Sequence, residues 1–429
     1  MINSIKEYAD KSYISFHTPC HMGRNKLLNS VLDSSYDLTE LLETDNLFKE
    51  NGIIKEMEER FSKRYGGEFF YPLVNGATSG VMAALGIFNE GDCILIDRNC
   101  HISVVNAVKQ HRLNPVFIET DFNKFGILNP PLLNSVKKAY TENKDVKGIF
   151  LTNPNYYGMS ADLKSVLKFA KEKNIISIVD EAHGTHYYYI DKTKTATYLG
   201  ADIAILSFHK NLPSLTQTGG ILIRNLALKD KVKENLRLYT STSPSYLFMM
   251  GIEAMDEFMQ KEGSLIINER YSYLKKVKEN LYKSGVNILL DNDPFKFVVN
   301  VDDAYGKEKT LKDKYKIVPE MCDEDNITFI ISIHNYKKEI ELLTKALKDV
   351  AKCRNKNNKS FILPKKNMTP YEATKKEKAV YKLKDAIGKT AGETVIEFPP
   401  SVPIIVEGEV INECAVRLIK KKEIKCVRE

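Results

Sequence analysis

Short, nearly all-apolar runs recur through the first half of the chain, at 69–74, 93–97, 115–118, 148–152, 175–180, 201–206 and 220–223. Segments of helical periodicity lie between them, at 81–85, 103–111 and 163–173. A strand that alternates apolar and polar residues has one wet face, whereas runs this uniformly apolar must be covered on both. The pattern therefore predicts an α/β fold with a mostly parallel sheet covered by helices. Ligands of such sheets bind outside the carboxyl ends of the strands, and the polar motifs of this chain fall at those ends.

The flanks read differently. Residues 1–50 are rich in polar and turn residues and read as an irregular arm laid over a larger body. A helix over 53–65, closed by Gly66-Gly67, opens a large α/β domain spanning 51–265. Residues 266–429 read as a smaller α+β domain, with a charged helix at 268–284, strands at 295–300 and 327–332, and a Lys-rich helix at 337–352. An exposed connector is expected at 355–367, then one more helix and a Pro-rich turn at 399–403. Tyr187-Tyr188-Tyr189 reads as packed sheet edge, and the late lysine runs read as solvated faces.

Composition sets the class. With 429 residues, 43% hydrophobic and 28% charged, the chain can bury a large core, and its net charge of +7 is too diffuse to mark a nucleic-acid surface. The seven cysteines show no CxxC spacing, which predicts reduced thiols and no metal site. The N-terminus shows neither a signal peptide nor a spanning segment, so a cytoplasmic protein with no membrane partner is expected.

Four strand ends carry candidate chemistry. The 201–206 run ends at Ser207-Phe208-His209-Lys210, and a lysine there, once buried, loses basicity and can attack a carbonyl. Most lysines at strand ends merely snorkel to solvent, so Lys210 needs support from elsewhere. Asn75-Gly76-Ala77-Thr78-Ser79-Gly80 offers glycines, hydroxyls and a helix start able to hold a phosphate, though most such loops are only a turn and a cap. Asp180 closes an aliphatic run, where a carboxylate is costly unless a cation or polar ligand meets it; a helix cap is the alternative. His101 follows the 93–97 run, a place where a histidine is more often structural. Together the four call for pyridoxal phosphate, which needs a Schiff-base lysine, a phosphate cup, an acid for the ring nitrogen and a ring to stack on. A dinucleotide-binding reading fails because no G-x-G-x-x-G follows the first strand.

The order cup, acid, lysine is similar to that of the aspartate-aminotransferase-like, or fold type I, enzymes. More closely, the chain resembles the ornithine/lysine/arginine decarboxylase family, in its short bacterial members without an extra N-terminal domain. The resemblance is carried by HTPCHMG (17–23), DLTEL (37–41), NGATSG (75–80), DRNCHIS (97–103), TNPNYYG (152–158), DEAHGTH (180–186), SFHKNLPSLTQTG (207–219), STSPSY (241–246) and FPPSVPIIVEGE (398–409). It implies that Lys210 bonds to the cofactor, with Ser207 and His209 beside the phosphate. Thr78 and Ser79 would hold that phosphate, and Thr242 or Ser243 would reach it from a partner subunit. His101 would stack on one ring face with Ala182 on the other, Asp180 would pair with the ring nitrogen, and His183 would lie near the ring substituents.

The implied reaction is decarboxylation of a basic amino acid, arginine ahead of lysine and ornithine, for polyamine synthesis or acid and amine metabolism. The implied assembly is a homodimer or a dimer of dimers. Another pyridoxal-phosphate reaction, transamination or an aldolase-type cleavage, is the nearest alternative; a non-catalytic regulatory homologue is disfavoured by the retained Lys210, Asp180 and His101. The chain departs from the family at Cys20, Leu42-Glu43 and Ser401, and at Asn153 and Asn155, none of which belongs to the cofactor set. Glu40, Glu43 and Asp45 are candidates for reading the substrate's distal cation, although solvation explains them equally well.

Overall fold

The computed structural model describes residues 1–351, 361–397 and 402–428. Seven strands form the central sheet: β1 (Phe69–Leu73), β2 (Cys93–Asp97), β3 (Asn114–Ile118), β4 (Val146–Thr152), β5 (Ile176–Asp180), β6 (Ile203–Ser207) and β7 (Gly219–Ile223). Their order is β1-β7-β6-β5-β4-β2-β3. The inner pairs are parallel, and β7 alone runs antiparallel to both of its neighbours. Every strand but β7 therefore ends at the same edge, and that edge carries the motifs at 75–80, 97–101, 152–155, 180–183 and 207–210.

Successive residues of a strand serve opposite faces. Ile94, Ile96, Ile178, Ile203 and Ile205 join one apolar cluster, while Leu95, Ile149, Val179, Ala204 and Leu206 join another on the far face. Each fully buried aliphatic side chain contributes about 1.5–3 kcal/mol, so two covered faces hold the sheet edge rigid. The helices at Ile53–Tyr65, Ile102–Gln110 and Leu163–Glu172 stand where periodicity places them, the first ending on Gly66 at φ 72°. Tyr187-Tyr188-Tyr189 is not sheet edge but the helical turn Tyr187–Ile190. The sheet edges are taken by β1 and β3, and Tyr188 turns inward to donate its hydroxyl proton to Glu181 at 2.8 Å.

The arm is more regular than its composition suggests, with a helix at Ile2–Asp10 and a strand, Ile14–Phe16, pairing with Ile317–Pro319. Beyond the sheet, Lys296–Asn300, Asn326–Ile330 and Met321–Cys322 form a small antiparallel sheet. It packs under the helices Ser264–Lys283, Ala304–Tyr315 and Lys337–Val350. Leu383, Ile405, Ile411, Ile424 and Cys426 belong to a separate apolar cluster built by the last part of the chain. The start of the expected connector (355–360) and most of the Pro-rich turn (399–401) lie outside the described residues. Among the described residues no helix is long and apolar enough to cross a membrane.

One core carboxyl has a measurable cost. Glu58, on the buried side of the helix Ile53–Tyr65, is pushed up to about 9 by burial and by Glu50, against the pull of Lys233 and Lys229. Because the folded state binds this proton more tightly than the unfolded chain, stability is full below the ordinary glutamate range and falls as pH rises toward 9. Glu58→Gln is expected to flatten that fall and to stabilise the protein by on the order of 2 kcal/mol near pH 8, with little effect near pH 4. Denaturation midpoints measured across this range check it; a parallel decline in the variant would show that Glu58 is not the cause.

Candidate active site

Lys210 lies on a single helical turn, Phe208–Asn211, immediately beyond β6. Its Nζ is 3.3 Å from Nε2 of His183, and burial lowers its pKa against the opposing charges of Asp180 and Glu320. Ser207 is fully buried, with its hydroxyl 3.3 Å from Nδ1 of His209. The His209 ring is held down to about 4 by burial and then by Lys210, so it is neutral at neutral pH.

Asp180 ends β5, 5% exposed, and its Oδ1 accepts the N–H of Ala182 at 2.9 Å. Burial raises its pKa, while Lys210 and the Ala182 N–H pull it back. The Asn211 amide, turned to face them, donates to the carbonyls of Ala182 and His183 at 3.2 Å each, tying the lysine turn to the acid loop. The neighbouring Glu181 points elsewhere, accepting from Tyr188 and from the Ala196 N–H. His101 caps the helix Ile102–Gln110 through Nδ1, which accepts the Ser103 N–H at 3.2 Å. Its ring is lowered to about 4 by burial and by Lys210. The structure thus brings His101, Asp180, Ala182, His183, Ser207, His209 and Lys210 to one edge of the sheet.

The loop at 75–80 lies at the end of β1. Gly76 has φ +74°, a conformation that strains any side-chain-bearing residue, and its N–H donates to the Gln217 carbonyl at 2.8 Å. This turn starts the helix Gly76–Leu85, whose N-cap Asn75 makes no side-chain cap bond. Ser79 is buried and donates to the Gly76 carbonyl at 2.8 Å, whereas Thr78 is exposed. At Gly219 a Cβ would stand 2.6 Å from the Leu206 carbonyl oxygen, so only glycine lets β7 pass this close to β6, and the same Cβ would lie 3.5 Å from the Ala77 nitrogen of the loop. Thr242 and Ser243 are exposed, and among the described residues they make no hydrogen bond to the Lys210 loop.

The arm crosses the lysine turn. Cys20 donates from its N–H to the His209 carbonyl at 2.9 Å and from its thiol to the Lys210 carbonyl at 3.1 Å. Of the carboxylates considered for the substrate's distal cation, Asp45 is spent on the backbone N–H groups of Asn46, Asn51, Gly52 and Ile54. Glu43 is exposed, and Glu40 accepts from Thr39.

Three polar residues near Lys210 escape the sequence reading. Lys296, in the strand Lys296–Asn300, is 0% exposed and places Nζ 3.0 Å from Nδ1 of His183. Glu320 accepts from the Thr18 N–H at 2.7 Å and from the Tyr156 hydroxyl at 2.6 Å. Tyr156 in turn sets its ring edgewise on His183, with centroids 4.6 Å apart. A lysine inside the apolar run Phe295-Lys296-Phe297-Val298-Val299 was a visible signal. Tyr156 lies within the TNPNYYG motif (152–158), though nothing in it marks this tyrosine for the Lys210 site, and Glu320 had no signal because only the tertiary fold brings it there.

The sheet order and the motifs at its strand ends define an aspartate-aminotransferase-like α/β protein. An aspartate aminotransferase from Thermotoga maritima superposes with a TM-score of 0.56 at 16% identity, covering 81% of this chain and 94% of that one. The constitutive lysine decarboxylase of E. coli superposes with a TM-score of 0.78 at 16% identity, covering 100% of this chain and 81% of that one. Residues 1–300 match the family described as "Orn/Lys/Arg decarboxylase, major domain". The arginine decarboxylase of Bacillus subtilis (strain 168) is 30% identical over 96% of this chain and 91% of its own length. The inducible lysine decarboxylase of Escherichia coli (strain K12) is 22% identical over 96% of this chain and 75% of its own length. This chain belongs to the ornithine/lysine/arginine decarboxylase family.

Proposed function

We propose that the protein decarboxylates a basic amino acid, arginine ahead of lysine and ornithine, with pyridoxal phosphate as cofactor. The reading is carried by one observation: the partly buried amine of Lys210, 3.3 Å from His183, and the buried carboxylate Asp180 sit within electrostatic reach of each other where the parallel strands end. The preference for arginine draws on the relatives named arginine decarboxylase, which match over nearly the whole chain.

The residues fit the cofactor. The uncapped helix start at Gly76, opened further by the missing side chain at Gly219, suits a phosphate, with Thr78, Ser79, Ser207 and His209 as its donors. Asp180 would hold a proton on the ring nitrogen, His101 and Ala182 would cover the two ring faces, and His183 would meet the ring substituents. Thr242 or Ser243, both exposed in one chain, would complete the phosphate site of a partner in a homodimer or a dimer of dimers. When bound, the cofactor supplies an electron sink for the pair left on Cα as carbon dioxide departs. Lys210 would anchor the cofactor as an unprotonated amine, yield its place to the substrate amine and, with His209 beside it, return one proton to Cα. Neutral His101 and His209 add no cation that would hold the departing carboxylate.

The amine product fits polyamine supply or acid and amine metabolism, and the unpaired buried thiols of Cys20, Cys93 and Cys100 fit work in the cytoplasm. The test is to supply arginine, lysine and ornithine separately to the purified protein with pyridoxal phosphate and no keto-acid acceptor. Equal amounts of amine and carbon dioxide are expected, fastest from arginine. No carbon dioxide from any of the three sinks the reading.

A further inference from the structure

Lys296 is a buried amine that neither core packing nor the roles above explain. It is 0% exposed, and no carboxylate among the described residues is in ion-pair contact with it. Its Nζ meets Nδ1 of His183 at 3.0 Å and lies 5.7 Å from the centroid of the Tyr156 ring. The other nitrogen of the same imidazole, Nε2, meets Lys210 Nζ at 3.3 Å. One histidine therefore joins two amines end to end, Lys296 fully buried and Lys210 partly so.

A neutral imidazole has one N–H and one lone pair, so it can accept from one amine only while donating to the other. If Lys210 is the ammonium, it donates to Nε2, and the Nδ1–H donates to an uncharged Lys296. If Lys296 is the ammonium, it donates to Nδ1, and the Nε2–H donates to the lone pair of Lys210. The two states interconvert when Lys210 passes a proton to Nε2 while Nδ1 passes its own to Lys296, with no change in total charge. Charging both amines sets two ammonium groups against a ring with a single lone pair. We propose that Lys296, His183 and Lys210 form a proton relay sharing one positive charge, in which Lys296 takes up the proton that Lys210 must shed to become a nucleophile.

The surroundings support both end states. Asp180 and Glu320 draw charge toward Lys210, with the neutral His101 and His209 rings beside it. Glu320, Asp293 and the Cys20 thiol face Lys296, and Asp293 is itself paired with His186 at 3.0 Å. Burial brings Lys296 down to about 8 and holds His183 well below its usual range, so the ring passes protons without keeping an extra one. A ligand cation that engages Asp180 weakens the hold at the Lys210 end and moves the charge to Lys296.

The inference rests on Lys210 being the reacting amine, but its test needs neither cofactor nor turnover. The full-length chain, freed of carbonyl compounds, is labelled with trace acetic anhydride from about pH 6 to about pH 11, and acetylation of Lys210 is followed by mass spectrometry. Lys296→Met is expected to raise the half-point of Lys210 labelling by about one pH unit, roughly tenfold less labelling near pH 7. Lys296→Arg, a cation that cannot release its proton, is expected to lower it. In a His183→Phe background Lys296→Met should no longer move the half-point. The same shift in that background, or shifts in one direction for both Lys296 variants, overturns the relay. Imidazole nitrogen NMR shifts give a second measurement should His183→Phe fold poorly: His183 carrying protons on both nitrogens near pH 7 also overturns it.

Discussion

Lys210→Ala is expected to reduce carbon dioxide release by at least about a thousandfold while leaving the thermal midpoint nearly unchanged. The catalytic loss is large because no other amine can take over. Lys296 has its Nζ against the far nitrogen of His183, and both neighbouring histidines are neutral rings. The fold should survive because the Lys210 turn is held by backbone contacts. Leu212 donates to the Phe208 carbonyl, and Cys20 donates to the carbonyls of residues 209 and 210 whatever side chain follows. Truncation also removes a partly buried amine whose desolvation opposed folding. Carbon dioxide assays on both proteins, with denaturation curves alongside, decide the matter. A variant retaining more than about a tenth of the activity would remove Lys210 from the reacting role.

The four motifs that carry the candidate cofactor residues share a property: each lies at the end of a strand whose own residues are buried on both faces. Asp97, Asp180 and Ser207 interrupt apolar runs, and a polar residue there must be met by something. That local contrast marks Lys210 and Asp180 as candidates without deciding between chemistry and the plainer alternatives of snorkelling and capping, and the fold adds their shared edge. Tyr187-Tyr188-Tyr189 shows the limit of such contrast. An aromatic run satisfies strand and helix alike, and the partner that chooses between them, Glu181, comes from the end of another element.

Lys296 and Glu320 were missed for different reasons. Lys296 carried a signal of the same kind as Lys210, a cation set against an apolar run, but lay inside the run and without a recognised motif around it. Glu320 follows the short strand Ile317–Pro319 that pairs with the arm, and it becomes part of the site only because Thr18 and Tyr156 reach it from far along the chain. No periodicity encodes such a meeting. The same holds for Asp45, whose four backbone donors convert a candidate substrate reader into the organiser of a loop.

Glu409→Ala is expected to destabilise the protein by about 3–5 kcal/mol, the largest single effect on folding foreseen here. Arg98, two residues before Cys100 and three before His101, is 0% exposed and forms a two-pronged pair with Glu409 at 2.7 and 3.0 Å. Its other polar and ring contacts among the described residues are the Ile404 carbonyl at 2.8 Å and the face of Phe117, 4.6 Å from the ring centroid. With Glu409 gone, a guanidinium stays buried with no counter-charge among the described residues in contact, and the Val406 N–H loses its acceptor as well. Glu407, two residues away, already serves Lys109 and Lys378 and cannot replace it. Replacing both partners with apolar residues, Arg98→Met with Glu409→Leu, should cost far less, because the desolvation of two ions disappears with the pair. Denaturant titration of the single and double variants separates these outcomes. Equal losses in the two would assign the effect to packing instead of charge. Because the loop running on from Arg98 carries His101, the single variant should also lose activity at temperatures where it remains folded. Catalysis at the edge of the sheet thus depends on a contact made by the last part of the chain.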